Sequence, residues 1–149
     1  MRTTSDAPGT PSEIREDLAP RLRWTITRLA RRLRQEAGTD LGPSQVAALA
    51  TIERHGPLSP SELARAERIQ RPTATRILRH LEEAGLVERV KDPEDGRGSI
   101  VSITGAGRQH LKRLRARKTA YLATRLDRLD AEDRRTLERA AELLEGMLE

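Results

Sequence analysis

The sequence predicts a mainly α-helical chain interrupted by one small β-hairpin, with long helices at both ends. Three observations carry that prediction. Residues 58–86 hold two short helical patterns separated by a turn. Two β-branched runs follow at once around a tip rich in Gly, Pro and Asp. Leucines recur on both flanks at intervals of three and four, the spacing of one helical face.

Taken in order, residues 1–12 are rich in Thr, Ser, Pro and Gly without apolar periodicity, and read as a disordered tail. From residue 13 to about 37, Leu18, Leu22, Ile26, Leu29 and Leu33 form one stripe of a long helix ending before Gly38. Pro20 lies near its start, where it either sets the true beginning or adds a kink. Trp24 falls off the stripe, which gives this helix a second face to bury. Gly42-Pro43-Ser44 opens the next helix, with Val46, Leu49, Ala50 and Ile52 on its apolar side and His55-Gly56-Pro57 as its stop. Ser59 is then an N-cap with Glu62 at the capping-box spacing, Pro60 sits at the first helical position, and Leu58 and Leu63 form a hydrophobic staple. That helix runs to about Ala66.

Another helix starts near Gln70-Arg71-Pro72, since Pro is tolerated only in a first turn, and ends at Gly85, a natural C′ residue. Ala74, Ile77, Leu78 and Leu81 share one side of it. Thr73, Thr75, Arg76 and Arg79 share the other, and no acid occurs from Arg68 to His80. Such a helix suits the major groove, where Arg reads guanine and helix-start N–H groups meet phosphate. Taken alone, the same face is equally that of a solvated Arg-rich helix. The runs Leu86–Lys91 and Ser99–Thr104 around Asp92–Gly98 make the hairpin, so the unit over about 42–104 is a winged helix-turn-helix. Thr104 caps a helix reaching about Leu126, with Leu111, Leu114, Tyr121, Leu122, Leu126 and Leu129 as its apolar side. Asp130 caps a last helix carrying Leu137, Ala140, Ala141, Leu144 and Leu148.

The segments Ser61–Ala64, Arg71–Arg76, Leu81–Val87, Asp95-Gly-Arg97 and Ile103-Thr104, in this order and spacing, resemble the MarR (multiple antibiotic resistance regulator) family of transcription factors. The resemblance extends over nearly the whole chain after the first dozen residues. It implies one domain over 13–149, dimerised through helices at about 13–37 and 105–148, with double-stranded DNA bearing a pseudo-palindromic operator as partner. It implies that Arg97 of the wing reaches the minor groove or the backbone and that Asp95 helps to orient it, although Asp-Gly is also a common turn pair. Candidates for base contact are Arg71, Thr73, Thr75 and Arg76. Arg79, Arg97 and Gln70 are candidates for phosphate or groove-wall contact. The family commonly has Ser or Thr where Gln70 stands, which weakens the cap and leaves a Gln–adenine contact open. It also implies repression relieved by a small anionic or phenolic effector. Trp24, with Arg28 one turn on, is the candidate for that pocket, and packing of Trp24 against the dimer helices is the competing reading.

Bulk properties fit. Of 149 residues, 34% are charged, the net charge is +5, and a basic balance favours polyanions. Eight Arg or Lys and no acid lie between Gly96 and Leu126, whereas the stretch from Asp127 on is net negative. The run from Arg108 to Lys118 reads as a solvated face rather than a DNA-contacting one, or as a partner for that acidic end. Long amphipathic helices at both ends exceed what the small winged unit can cover, so a second copy is expected to cover them. No Cys, no secretory h-region and no run of about 18 apolar residues point to a cytoplasmic protein without membrane contact. His55, His80 and His110 are scattered, no catalytic or metal motif occurs, and Gly105-Ala-Gly107 lacks the βαβ context of a dinucleotide loop. No catalytic residue, metal or cofactor is therefore expected. The alternatives are a winged-helix module for protein–protein contact without specific DNA binding, or a small enzyme.

Overall fold

The computed structural model describes residues 11–149. Its elements run α1 (Pro11–Ala37), α2 (Pro43–His55), α3 (Pro60–Glu67), α4 (Arg71–Glu83), β1 (Val87–Lys91), β2 (Ser99–Ile103), α5 (Gly105–Leu126) and α6 (Ala131–Gly146). The expected tail lies outside the described residues up to position 10. Pro11 and Ser12 are helical rather than part of it, because a proline in a first turn gives up only an N–H that has no helical acceptor. α1 continues through Pro20, which therefore neither starts nor ends it.

The helix starts follow local chemistry. Glu62 N–H donates to Ser59 Oγ at 3.2 Å and Ser59 N–H donates to Glu62 Oε2 at 2.7 Å, a reciprocal capping box. Thr104 Oγ1 accepts from Gly107 N–H at 3.1 Å, and Asp130 Oδ1 from Asp133 N–H at 2.8 Å. At α2 only half of such a box exists: Gln45 Oε1 accepts from Gly42 N–H at 3.1 Å, and Gly42 has no side chain to answer it. The α3–α4 turn pivots on Arg68 at φ +54°, the one non-glycine residue in the left-handed region among the described residues. Nothing in its composition marks Arg68 for that role, since glycine or asparagine is the usual occupant.

The core lies where α2, α3, α4, the hairpin and the start of α5 meet. Leu49, Ile52, Leu63, Leu78, Leu81, Val101 and Leu111 are its fully buried side chains. β1 and β2 pair antiparallel from Val87↔Ile103 to Lys91↔Ser99. A short bridge adds Leu58 to the outer edge: Leu58 N–H donates to Val101 O at 3.0 Å and Val101 N–H to Leu58 O at 2.8 Å. The staple residue Leu58 thus also stitches the wing to the α2–α3 turn.

The terminal helices contrast with this core. Among the described side chains of α1 only Ala37 is buried, while Leu18, Ile26 and Leu29 of the expected stripe are exposed. α6 buries none of its described residues, and Leu137, Leu143 and Met147 face solvent. Leu126 at the end of α5 is likewise exposed.

Candidate nucleic-acid interface

α4 divides as its periodicity requires. Ala74, Ile77, Leu78 and Leu81 are buried against the core, so every other side chain of the helix is forced outward. Arg71, Thr75, Arg76 and Arg79 are exposed, and Gln70 is exposed just ahead of them. Thr73 is half-buried, less open than its companions, because it borders the apolar side. Gln70 is the N-cap residue, in extended backbone, and its side chain makes no capping bond. The N–H groups of Arg71 and Thr73 at the helix start are therefore left uncapped by it, and a helix start of this kind attracts anions.

Two of the acids near α4 are engaged by neighbouring side chains, while Glu83 at its far end is exposed. Arg89 of β1 donates through Nε to Glu82 Oε2 at 2.9 Å and through Nη1 to Ser99 Oγ at 3.4 Å. Both members of the ion pair are well exposed, so its role is placement more than stability. Glu67 is engaged by the Thr51 hydroxyl of α2.

The wing tip is a compact hydrogen-bonded turn. Asp95 Oδ1 accepts from Arg97 N–H at 3.1 Å, Asp95 O accepts from Gly98 N–H at 2.9 Å, and Asp92 Oδ1 accepts from Glu94 N–H at 2.9 Å. Asp95 therefore supports Arg97 through the main chain and leaves its guanidinium exposed at the tip. Arg97 and the α4 residues lie on separate elements joined by β1. The hairpin and Leu58 set how far apart they stand.

Trp24 and Arg28 stand together on α1 and do not line the cavity between α1, α2 and α5. The Arg28 guanidinium lies 4.4 Å from the Trp24 ring centre, a cation–π pair on a face where Trp24 is 57% exposed. A cavity of about 690 Å³ lies between the end of α1, the start of α2 and the middle of α5. Leu33, Ala37, Leu41, Val46 and Leu114 give it apolar walls, and Arg31, Arg34 and Lys118 contribute cationic heads. The α1–α2 loop that closes it was not singled out by the sequence, since a cavity between helices leaves no local pattern.

Two further features escaped sequence reasoning. Gly107 of α5 packs on the turn after α4: a Cβ there would stand 2.2 Å from Leu86 O and 2.7 Å from Ile103 Cγ1. Thr104 completes this junction, its hydroxyl donating to Gly85 O at 2.7 Å and its N–H to Leu86 O at 3.0 Å. His110 is half-buried on α5 and meets Thr39 Oγ1 at 3.0 Å. Burial, and then the nearby Arg113 and Arg117, lower its pKa, with Asp40 opposing. No group of three or more His, Cys, Asp or Glu that could hold a metal occurs among the described residues.

Known proteins agree with this architecture. The family model described as MarR family matches residues 41–99, from the start of α2 to the start of β2. An uncharacterised HTH-type transcriptional regulator of Mycobacterium bovis is 34% identical, over 89% of this chain and 93% of its own. The HTH-type transcriptional repressor NicR of Pseudomonas putida is 32% identical over 70% of this chain and 68% of its own. A crystal structure of a transcriptional regulator from Pseudomonas aeruginosa superposes with a TM-score of 0.82 at 36% identity, covering 95% of this chain and 99% of that one. These relatives are regulators and not enzymes, and the chain belongs to the MarR family of DNA-binding transcriptional regulators.

Proposed function

We propose that this regulator is a cytoplasmic homodimer that represses by gripping a pseudo-palindromic operator, α4 in the major groove and the wing alongside, and that a small effector releases it. The observation that carries this reading is the outward face of α4, where Arg71, Thr75, Arg76 and Arg79 stand exposed over a buried apolar side. Residues of α2 through β2 form the DNA-binding unit. α1, α5 and α6 form the dimerisation part of a single domain over about 13–149. Within α4, Arg71, Thr73, Thr75 and Arg76 contact bases, while Gln70, Arg79 and the wing's Arg97 contact phosphate or groove wall, with Asp95 as wing support.

Four observations support the rest. The uncovered leucines of α1 and α6 are too many apolar side chains for a monomer to leave in water, and a second copy covers them. Two copies then space their α4 helices about 34–36 Å apart, one turn of duplex. The cavity by α1, α2 and α5 couples apolar walls to Arg31, Arg34 and Lys118, which suits an anionic or phenolic effector. NicR, a relative of this chain, is named a repressor. No helix among the described residues is long and apolar enough to cross a membrane.

A gel-shift titration with DNA from upstream of the coding region tests the reading. Arg76→Ala is expected to lose about 1–3 kcal/mol on the operator and to relax sequence preference. Equal losses on operator and random DNA would move Arg76 to the phosphate contacts. No loss at all would favour a winged helix used for protein contact. Sedimentation at micromolar concentration is expected to show a dimer, and a monomer there would remove the two-grooved geometry.

A further inference from the structure

His80 sits on α4 four residues beyond Arg76 and seven beyond Thr73, so the three share one face of the helix. Its Nδ1 lies 3.1 Å from Gln45 Nε2 of α2. The orientation of the Gln45 amide follows from its other contact: Oε1 accepts from Gly42 N–H at 3.1 Å, so the atom turned to His80 is the NH₂ donor. A donor there needs the bare lone pair of Nδ1. The ring proton of neutral His80 must then sit on Nε2, on an exposed side chain, and Nε2 has no partner among the described residues. A doubly protonated ring would set two donors face to face and break the link. The near end of a recognition helix meets base edges, so a residue this far along it reaches the backbone that flanks the groove.

We infer that Gln45 is a positioning residue that holds His80 as an uncharged Nε2–H donor to a DNA phosphate. The inference rests on the reading of α4 as the groove-facing helix. It joins the DNA contact to the turn of α2 whose Pro43 and Val46 border the cavity.

A neutral donor adds affinity without releasing a counterion, and this separates it from an arginine. His80→Ala is expected to weaken operator and random DNA alike, roughly three- to tenfold. The slope of log affinity against log salt is expected to stay unchanged. Gln45→Ala should show the same loss, and the double variant no more than either single one. His80→Gln, which keeps a donor near the Nε2 position, should recover most of the affinity. Nitrogen-15 NMR of the free dimer reads the link itself. Gln45→Glu still accepts from Gly42 N–H but turns an acceptor to Nδ1, so the His80 proton is expected to move from Nε2 to Nδ1.

An unchanged His80 tautomer in Gln45→Glu, additive losses in the double variant, or a shallower salt slope in His80→Ala would each overturn the inference. If Arg76→Ala loses binding while His80→Ala does not, the inference fails and the reading of α4 stands. If neither loses binding, both fail.

Discussion

Gly107→Ala is expected to destabilise the protein by about 3 kcal/mol or more, near the top of what overpacking a single site costs. The added methyl would lie 2.2 Å from Leu86 O, a backbone atom that cannot swing aside as a side-chain end can. That carbonyl already accepts from Thr104 N–H at 3.0 Å, and Thr104 Oγ1 in turn caps Gly107 N–H at 3.1 Å. Relief would need α5 to lift from the turn that follows α4, so the same change is expected to loosen the path between the long helix and the DNA-facing one. Urea unfolding followed by circular dichroism measures it, with Gly105→Ala as the control. Nothing lies within 4 Å of a Cβ at Gly105, two residues away in the first turn of the same helix. The control should unfold at or above the wild-type midpoint, because alanine is the better helix former. A Gly107→Ala protein within about 1 kcal/mol of wild type would show that the junction is softer than these distances require.

The larger effect in magnitude concerns salt. Arg71, Arg76, Arg79 and Arg97 are exposed cations on α4 and the wing, and a dimer doubles them. A protein making on the order of six to ten phosphate contacts loses about 10³–10⁵ in affinity between 50 and 200 mM salt through counterion release. We expect a loss in that range on operator DNA. Of the acids near α4, Glu82 is paired with Arg89, whereas Glu67 and the exposed Glu83 keep their charge and subtract a little from the cationic field. Arg97→Ala should flatten the slope by about 0.9 for each phosphate it neutralises. Salt titration of the binding constant, by fluorescence anisotropy, measures both quantities. A nearly flat slope would mean that these arginines do not meet a polyanion.

How much of this was legible beforehand depends on the range over which each feature is set. The capping box of Ser59 and Glu62, the caps at Thr104 and Asp130 and the buried side of α4 arise from residues within one or two turns of each other. Local spacing therefore announces them. The ends of β1 and β2 follow from a turn-rich tip between β-branched runs in the same way. α1 begins two residues ahead of the expected start because Pro11, a linker residue by composition, is well suited to a first turn.

Features made by residues far apart in the chain were not legible. Trp24 and Arg28 are neighbours on one helix, whereas the cavity by α1, α2 and α5 needs Leu33, Leu41, Val46 and Leu114 to converge from three helices and a loop. Gly107 gave no sign of its importance, since only the approach of the Leu86 carbonyl makes its missing side chain necessary. The link between Gln45 and His80 spans 35 residues and exists because α2 and α4 pack side by side. By itself the sequence determined which helices form, which side of each is apolar and that one face of α4 is cationic, because those follow from periodicity and capping over a few residues. Only the tertiary structure decided which of those sides are covered, where the cavity opens and how His80 is held. Burial and hydrogen-bond partnership are properties of pairs of segments, and the packing that brings them together has no trace in either segment alone.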